Sequence, residues 1–388
     1  MNNLYRSMLA VVLAACTSVA SALQFENIIG MSTKTGFRAV FAWQADAVVS
    51  GVVDYQIDGG QTQTAVPLAN VVDRAQMAVI DGLEPGQTVT YRIRDQLSGT
   101  SSAQRSLTAG NAYESWNGSS YTLNALVQLD SPALPDGVPF DLGVGDLADG
   151  MQIVAERLYD AMDGYAQMGT VLVTDTVLNY PLNIPFGVQS VFGSAGCNNV
   201  MLDGIGAVGH TLADFIVETS IPFDSHTFGG WMIDNPCVGF YIGRVGQLVV
   251  PWEDDLHLGY TMTHELMHYA FNAPDLYTLN SDADCRNLDW DGSLMHNTGG
   301  WNGQRWELTE LDRDPVATPC DHGTQPYTWQ ALRDRYDQIP QNAAPQNVVD
   351  TQARGNPTGG SLEIWVLDHE PGNSRLCRYG TPDCFPGN

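Results

Sequence analysis

Two histidines and a glutamate between positions 261 and 277 have the types and spacing for metal chemistry. His264, Glu265 and His268 form the pattern His-Glu-x-x-His. Residues four apart share one face of an α-helix, so both imidazoles can reach one metal ion with the Glu265 carboxylate beside it. Zn²⁺ accepts neutral imidazoles and lowers the pKa of a bound water to about 7. The pattern predicts a zinc site with Glu265 as general base; the alternative is an ordinary helix with two exposed histidines.

The residues that follow His268 offer a third ligand. Asp275 lies seven positions after His268, and the preceding Pro274 has no side-chain donor. Asn272 lies four positions after His268, and Asn tolerates a left-handed turn better than other non-glycine residues. We expect Asn272 to turn the chain and Asp275 to return a carboxylate to the metal. The alternatives are that Asp275 is a surface or helix-terminating carboxylate, or that His296 is the ligand.

This spacing resembles the metallopeptidase domain of the calcium-activated chloride channel regulator family. That family carries His-Glu-x-x-His-x-x-x-Gly-x-x-Asp-Glu-[Phe/Tyr], and here Asn272 replaces its Gly and Leu276 its Glu. Pro274 to Tyr277 also resembles the Pro-Asp-Leu-Tyr of immune inhibitor A-type peptidases, whose ligand falls one residue earlier. The resemblance implies a metzincin fold with Glu265 as base. It also implies that zinc is held by His264, His268 and Asp275.

Met295 lies 20 residues after Asp275, within Ser-Leu-Met-His. The segment resembles the Met-turn of metzincins, where a Met side chain forms an apolar floor beneath the metal without binding it. Many metzincins add a Tyr just beyond this turn, but Asn297 stands there, so the residue that stabilises the transition state is not evident. Nearby aspartates indicate a solvated acidic loop, with Ca²⁺ binding as the alternative. They are Asp282, Asp284, Asp289 and Asp291.

Charge and the N-terminus indicate an exported protein. The 388-residue chain has 44 acidic and 17 basic side chains, a formal net charge of −27. Such a field repels nucleic acid and anionic membranes, which excludes nucleic-acid binding. Residues 1–22 read as a signal peptide, with Arg6 before an apolar run too short to span a bilayer. We expect a secreted or periplasmic protein; the alternative is an outer-membrane lipoprotein anchored through Cys16 of a lipobox at 13–16. No later stretch predicts a transmembrane helix.

The cysteine count fits an oxidising compartment. Seven cysteines are present, and removal or lipidation of Cys16 leaves six. An even number in an exported chain predicts three disulfides, and Cys377 with Cys384 is the nearest pair. The other two pairings, Cys285 with Cys320 and Cys197 with Cys237, are guesses. A cysteine-ligated structural metal is the alternative.

Elements in the first third predict a β-sandwich over residues 23–110. Strands are expected at 38–43, 51–57, 77–80 and 88–94, and Asp58-Gly-Gly predicts a hairpin. The segment Gly82 to Ile93 resembles the late strands of fibronectin type III domains, which supports the fold alone. We interpret this domain as a spacer or binding module.

The helices and strands expected within residues 111–340 predict an α+β zincin or metzincin domain. A loop-rich crossover is expected at 101–143. Strands and helices in an order typical of zincins lead to the metal motif, and 341–388 is expected to be a Cys-bounded extension. The expected strands are 169–174, 214–219, 238–242, 247–250 and 362–367; the expected helices are 146–168, 256–272 and 327–339.

These features together predict an exported zinc endopeptidase acting on proteins or peptides. A zinc hydrolase of another substrate is one rival. A catalytically degenerate zincin that acts as a secreted or surface binding or adhesion protein is the other. The retained Glu265 favours an enzyme, because a binding protein needs no base beside the metal.

Overall fold

The chain is chiefly β, with three sheets and one long helix in the part that the structure describes. The structure is a computed structural model. It describes residues 23–33, 38–68, 72–84, 86–109, 115–116, 121–129, 140–162, 164–174, 215–218, 226–228, 247–251, 263, 266–267, 362–369 and 373–384.

Residues 23–109 form a two-sheet β-sandwich, which confirms the prediction for the N-terminal domain. One sheet, the inner sheet, has the order β1 (Phe25–Thr33), β2 (Arg38–Val49) and β5 (Asp73–Asp81). The other, the outer sheet, has the order β4-β3-β6-β7, and all its pairs are antiparallel. Its strands are β3 (Gly51–Ile57), β4 (Gln63–Ala65), β6 (Thr88–Asp95) and β7 (Arg105–Thr108).

Aromatic and aliphatic side chains from both sheets fill the space between them. Phe41 and Trp43 of β2 are fully buried, as is Ile93 of β6. The ring of Phe41 lies 4.5 Å from that of Tyr91, centroid to centroid, with the planes tilted by 54°. This core holds the inner and outer sheets together.

The turn after β3 confirms the hairpin predicted from Asp58-Gly-Gly. Asp58 and Gly59 have φ angles of 50° and 71°, and the amide of Gly60 donates to the carbonyl of Ile57 at 2.8 Å. Positive φ at both central residues suits Asp followed by Gly, and it matches the twist of the strands that flank the turn.

A mixed sheet, the central sheet, occupies the rest of the described chain. Its order is β12-β13-β11-β9-β10-β14-β15, and β8 pairs with β9. Strands β13, β11, β9, β10 and β14 are parallel to one another, and β12, β15 and β8 are antiparallel to their neighbours. The strands are β8 (Ser115–Trp116), β9 (Tyr121–Leu129), β10 (Ala166–Thr174), β11 (Phe215–Glu218), β12 (His226–Phe228), β13 (Gln247–Pro251), β14 (Glu363–Asp368) and β15 (Arg375–Arg378).

Helix α1 (Phe140–Ala161) joins β9 to β10 and packs against the central sheet. The expected helix over 146–168 was therefore placed too late. Gly164, with a φ of 81°, turns the chain, and its amide donates to the carbonyl of Tyr159 at 2.8 Å. Glycine accepts this left-handed conformation without a Cβ clash and so ends the helix before β10. The buried side chains of α1 include Val144, Leu147, Met151, Val154 and Leu158.

Strand β9 corrects the expectation of a loop-rich crossover at 101–143. Tyr121, Leu123, Ala125 and Val127 alternate on one buried face, as the period of two for a strand requires. The prolines that suggested a loop, at positions 132, 135 and 139, follow the strand rather than interrupt it. The segment thus supplies the strand that both β10 and β11 flank.

The inner sheet also packs against the central sheet, so it is covered on both faces. Val40 and Met77 of the inner sheet belong to one buried cluster with Leu126 and Leu172 of the central sheet. Asn124 bridges the two: its Nδ2 donates to the carbonyl of Ser32 at 3.1 Å, and its Oδ1 accepts from the amide of Thr170 at 2.9 Å. Other members of the cluster are Ile29, Met31, Ala42, Ala75, Leu367 and Leu376.

The segment expected as a C-terminal extension contributes β14 and β15 to the central sheet. A disulfide joins Cys377 to Cys384, with the Cα atoms 5.1 Å apart, and confirms the pairing predicted from proximity. Cys197, Cys237, Cys285 and Cys320 lie outside the described residues, as do the expected strand at 238–242 and the expected helix at 327–339.

An ion pair joins Asp54 and Arg94 on the outer sheet. Asp54 accepts from Arg94 Nε at 2.7 Å and from Arg94 Nη2 at 2.8 Å. The Thr64 hydroxyl donates to the same carboxylate at 3.1 Å. The hydrogen bond from Arg94 lowers the pKa of Asp54, although partial burial opposes this effect.

We predict that Asp54→Asn makes stability less dependent on acid pH. Because the folded-state pKa of Asp54 is lowered, its contribution is full above its unfolded-state pKa and is lost as pH falls through the folded-state value. The variant should lose about 1–3 kcal/mol at pH 7 and less at pH 3. Urea unfolding at both pH values measures this. Glu26→Gln, at an exposed carboxyl, is the control, and an equal loss at both pH values for Asp54→Asn would contradict the prediction.

Candidate functional site

Three residues of the metal motif segment are helical and buried. Thr263, Leu266 and Met267 are in α-helical conformation, and each is at most 1 % exposed. Their spacing of three and four residues places them on one face of the helix. In a continuous helix, positions 264 and 268 fall together on a different face. Thr263, Leu266 and Met267 therefore form a buried helical face beside the motif positions.

The residues expected to carry the chemistry lie outside the described residues. This holds for His264, Glu265 and His268, and for the turn and third ligand, Asn272 and Asp275. It also holds for Met295, for His296 and for the four aspartates between 282 and 291. Their grouping therefore stays a prediction.

The strand order defines the carboxyl edge of the central sheet. Parallel strands β9, β10, β11, β13 and β14 end at the same edge, and the motif begins 13 residues after Pro251, the last residue of β13. Successive strands β10 and β11 lie on opposite sides of β9, so the strand order reverses there. Ligands of open parallel sheets bind at carboxyl edges next to such reversals.

A second group of polar residues lies at the end of β14, and sequence reasoning missed it. Ser374 Oγ donates to Asp73 Oδ2 at 2.8 Å and lies 3.2 Å from His369 Nδ1. The Ser374 amide also points to Asp73 Oδ1, at 3.3 Å. Because Asp73 and Ser374 are 301 positions apart, no local pattern could have indicated their contact.

These three side chains do not form a nucleophile with its base. In a hydrolytic triad, the imidazole lies between the carboxylate and the hydroxyl. Here the hydroxyl of Ser374 lies between the other two groups and directs its proton to Asp73. Ser374 is 3 % exposed and Asp73 is 0 % exposed, so substrate has no access to them. The group ties the sandwich to the end of β14.

The donor set of the predicted site suits zinc. Two imidazoles and one carboxylate, with a position left open, are typical of catalytic zinc centres. Within the described ranges, no group of three His, Cys, Asp or Glu residues is placed to hold a metal, and the predicted ligands are not among those residues. No helix in these ranges is both long and apolar enough to cross a membrane.

Comparisons with known proteins give no family. No protein-family model matches the chain, and no curated protein matches it by sequence. A crystal structure of a Br derivative of BhCBM56 is 12% identical over 21% of this chain and 86% of that chain, with a TM-score of 0.17. A redesigned β-sandwich protein is 19% identical over 22% and 94%, with a TM-score of 0.19. A Ruminococcus gnavus beta-glucuronidase is 8% identical over 44% and 27%, with a TM-score of 0.18. Likenesses at these scores carry no argument about function.

We predict that Leu266→Ala destabilises the protein by about 2–5 kcal/mol, because truncating a buried leucine leaves a cavity. Leu266 is 1 % exposed. Urea unfolding gives the change in the free energy of unfolding. Leu97→Ala removes the same atoms at a position that is 80% exposed and should change stability by less than about 0.5 kcal/mol. Similar values for both variants would mean that the motif helix is not packed through this face.

Proposed function

We propose that the protein is an exported zinc-dependent endopeptidase of metzincin type. The observation that carries the proposal is the motif His264-Glu265-x-x-His268 on a segment whose described residues are helical and buried on one face. Burial of Thr263, Leu266 and Met267 supports a helix that packs through one face. The retained glutamate between the histidines then points to catalysis rather than to metal binding alone.

The element order supports the finer fold assignment. A strand, a helix and a further parallel strand (β9, α1 and β10) precede β11, β12 and β13, and the motif helix follows. Strand β12 is antiparallel to β13, whereas β9, β10, β11 and β13 run parallel to one another. This matches the order of elements expected for a zincin. The three-plus-four arrangement of the inner and outer sheets likewise supports a fibronectin type III-like sandwich, which bears on fold alone.

Each predicted site residue has a defined task in this proposal. His264, His268 and Asp275 hold Zn²⁺, and Asn272 turns the chain so that Asp275 can reach it. Bound zinc would supply Lewis-acid activation of water and of the scissile carbonyl. Glu265 accepts the proton of the attacking water and passes it to the leaving amine. Met295 packs beneath the ligands without binding the metal.

The compartment proposed is extracellular or periplasmic, with a lipid anchor through Cys16 as the alternative. The Cys377–Cys384 disulfide supports an oxidising compartment, because the cytosol keeps thiols reduced. The substrate class is protein or peptide.

We predict that Glu265→Ala retains zinc and loses proteolysis. General-base catalysis contributes about 10²–10⁴-fold, so cleavage of casein or gelatin should fall by at least about 100-fold. Zinc content is measured by metal analysis of the purified protein before and after chelation. If the wild type binds zinc but cleaves these substrates no faster than Glu265→Ala, the peptidase proposal is wrong. That result would favour a degenerate zincin that acts as a binding or adhesion protein.

We predict that Asp275→Ala loses zinc, because it removes one of three protein ligands. Zinc stoichiometry at fixed free-metal concentration is the measurement. His296→Ala is the matched variant and should retain the wild-type stoichiometry. Retention by Asp275→Ala together with loss by His296→Ala would transfer the third-ligand role to His296.

A further inference from the structure

The C-terminal hairpin, residues 362–384, joins the central sheet at the free side of β10. Five residues of β14 pair in parallel with β10, from Thr170 opposite Glu363 to Thr174 opposite Leu367. Strand β15 then adds antiparallel to β14. Without this hairpin, β10 would present an unpaired strand edge, which is a template for pairing with another strand.

The hairpin also fills the space between the central sheet and the sandwich. Leu367 and Leu376 are 2 % and 1 % exposed, and both belong to the cluster that contains Met77 and Val40 of the inner sheet. Trp365 packs against the same cluster. Removing the hairpin would therefore expose apolar surface on the inner sheet as well as the edge of β10.

Side chains of the sandwich bind the main chain of the hairpin. The amide of Leu376 donates to Gln44 Oε1 at 2.8 Å, and its carbonyl accepts from Asn27 Nδ2 at 3.0 Å. The Ser374 amide donates to Asp73 Oδ1 at 3.3 Å, and its hydroxyl donates to Asp73 Oδ2 at 2.8 Å. Three side chains of the sandwich thus hold the hairpin backbone at residues 374 and 376.

Nothing covalent other than the chain itself holds the hairpin among the described residues. The Cys377–Cys384 disulfide lies wholly within residues 362–384. The preceding residues 340–361, here called the tether, are rich in Gln, Asn, Pro and Gly.

We propose that the edge of β10 and the adjoining face of the inner sheet form a docking groove whose occupant is the chain's own C-terminal hairpin. The hairpin is held there by strand pairing, leucine packing and the side-chain hydrogen bonds of the sandwich. These contacts are all noncovalent, so the groove accepts the hairpin when it is supplied as a separate chain, by the same β-strand addition that binds extended peptides to sheet edges. Because the hairpin contains no predicted zinc ligand, this inference does not rest on the proposed function.

The test cuts the tether in the full-length protein. A protease recognition sequence is inserted between Gly359 and Gly360, and the purified chain is cleaved. We expect the released hairpin to co-elute with the remainder in gel filtration, and a fluorescent peptide of residues 362–384 to exchange into the cleaved protein over time. Immediate separate elution of the hairpin from a folded remainder would overturn the proposal.

Two variants of the cleaved protein test the contacts. Leu376→Ala should release the hairpin at least about 30-fold faster, as expected for the loss of a buried leucine side chain. Arg378→Ala breaks only a half-exposed pair with Glu363 and should change release by less than about threefold. If Leu376→Ala does not fold, Ser374→Ala replaces it and should release faster than Arg378→Ala. Equal release by the substituted proteins and the wild type would show that these contacts do not hold the hairpin.

Discussion

Burial of the inner sheet on both faces is the constraint on which the rest of the described structure depends. In β2, Phe41 and Trp43 face the outer sheet, whereas Val40 and Ala42 face the central sheet, and all four are fully buried. A strand of an exposed sandwich would alternate apolar and polar residues. The continuous apolar run of β2 is instead the pattern of a strand covered on both sides. The sandwich is therefore part of the packing of the central sheet and not a module attached by a linker.

This constraint explains the polar residues found at the contact. Two sheets that pack face to face leave main-chain groups at strand ends and edges away from water, where an unpaired group costs about 1–3 kcal/mol. At this contact the Asn124 side chain donates one hydrogen bond and accepts another. Gln44 accepts from the amide of Leu376, and Asn27 donates to its carbonyl. Asp73 takes the hydroxyl of Ser374. Amides and a carboxylate within a buried contact thus specify how the sandwich and the central sheet meet.

Sequence patterns predicted the features that depend on interactions between residues close together in the sequence. Strand β3 was expected over 51–57 and is observed there, because its alternation and the Asp58-Gly59 turn act within a few residues. The Cys377–Cys384 disulfide was predicted from a separation of seven residues. Strand β9 was missed because the prolines beyond it outweighed its alternation. The start of α1 was placed six residues late, because Gly143 and Gly145 in its first two turns favour a loop although Phe140, Val144 and Leu147 have helical spacing.

Contacts between distant segments were not available from the sequence. The pairing of β14 with β10 and the contact of Asp73 with Ser374 join segments that are far apart in the sequence. Neither segment has a sequence pattern that indicates which other segment it contacts. The candidate metal site is the opposite case. The two expected histidine ligands and the expected base lie within five residues in the sequence, so their spacing alone predicts the chemistry. The helical conformation of Thr263, Leu266 and Met267 supports a helix in this segment.

The last described strand before the metal motif and the C-terminal hairpin lie in different parts of the central sheet. Strand β13 lies next to the antiparallel strand β12, whereas the C-terminal hairpin closes the far side beyond β10. Three strand spacings, each about 4.8 Å, separate β13 from β10. A substitution in the hairpin, such as Leu376→Ala, acts on the contact between the sandwich and the central sheet, and so its first effect is on stability. The role proposed for Glu265 is proton transfer, and so Glu265→Ala tests chemistry instead. The covered inner sheet supports one face of the same central sheet to which β13 and the hairpin both belong.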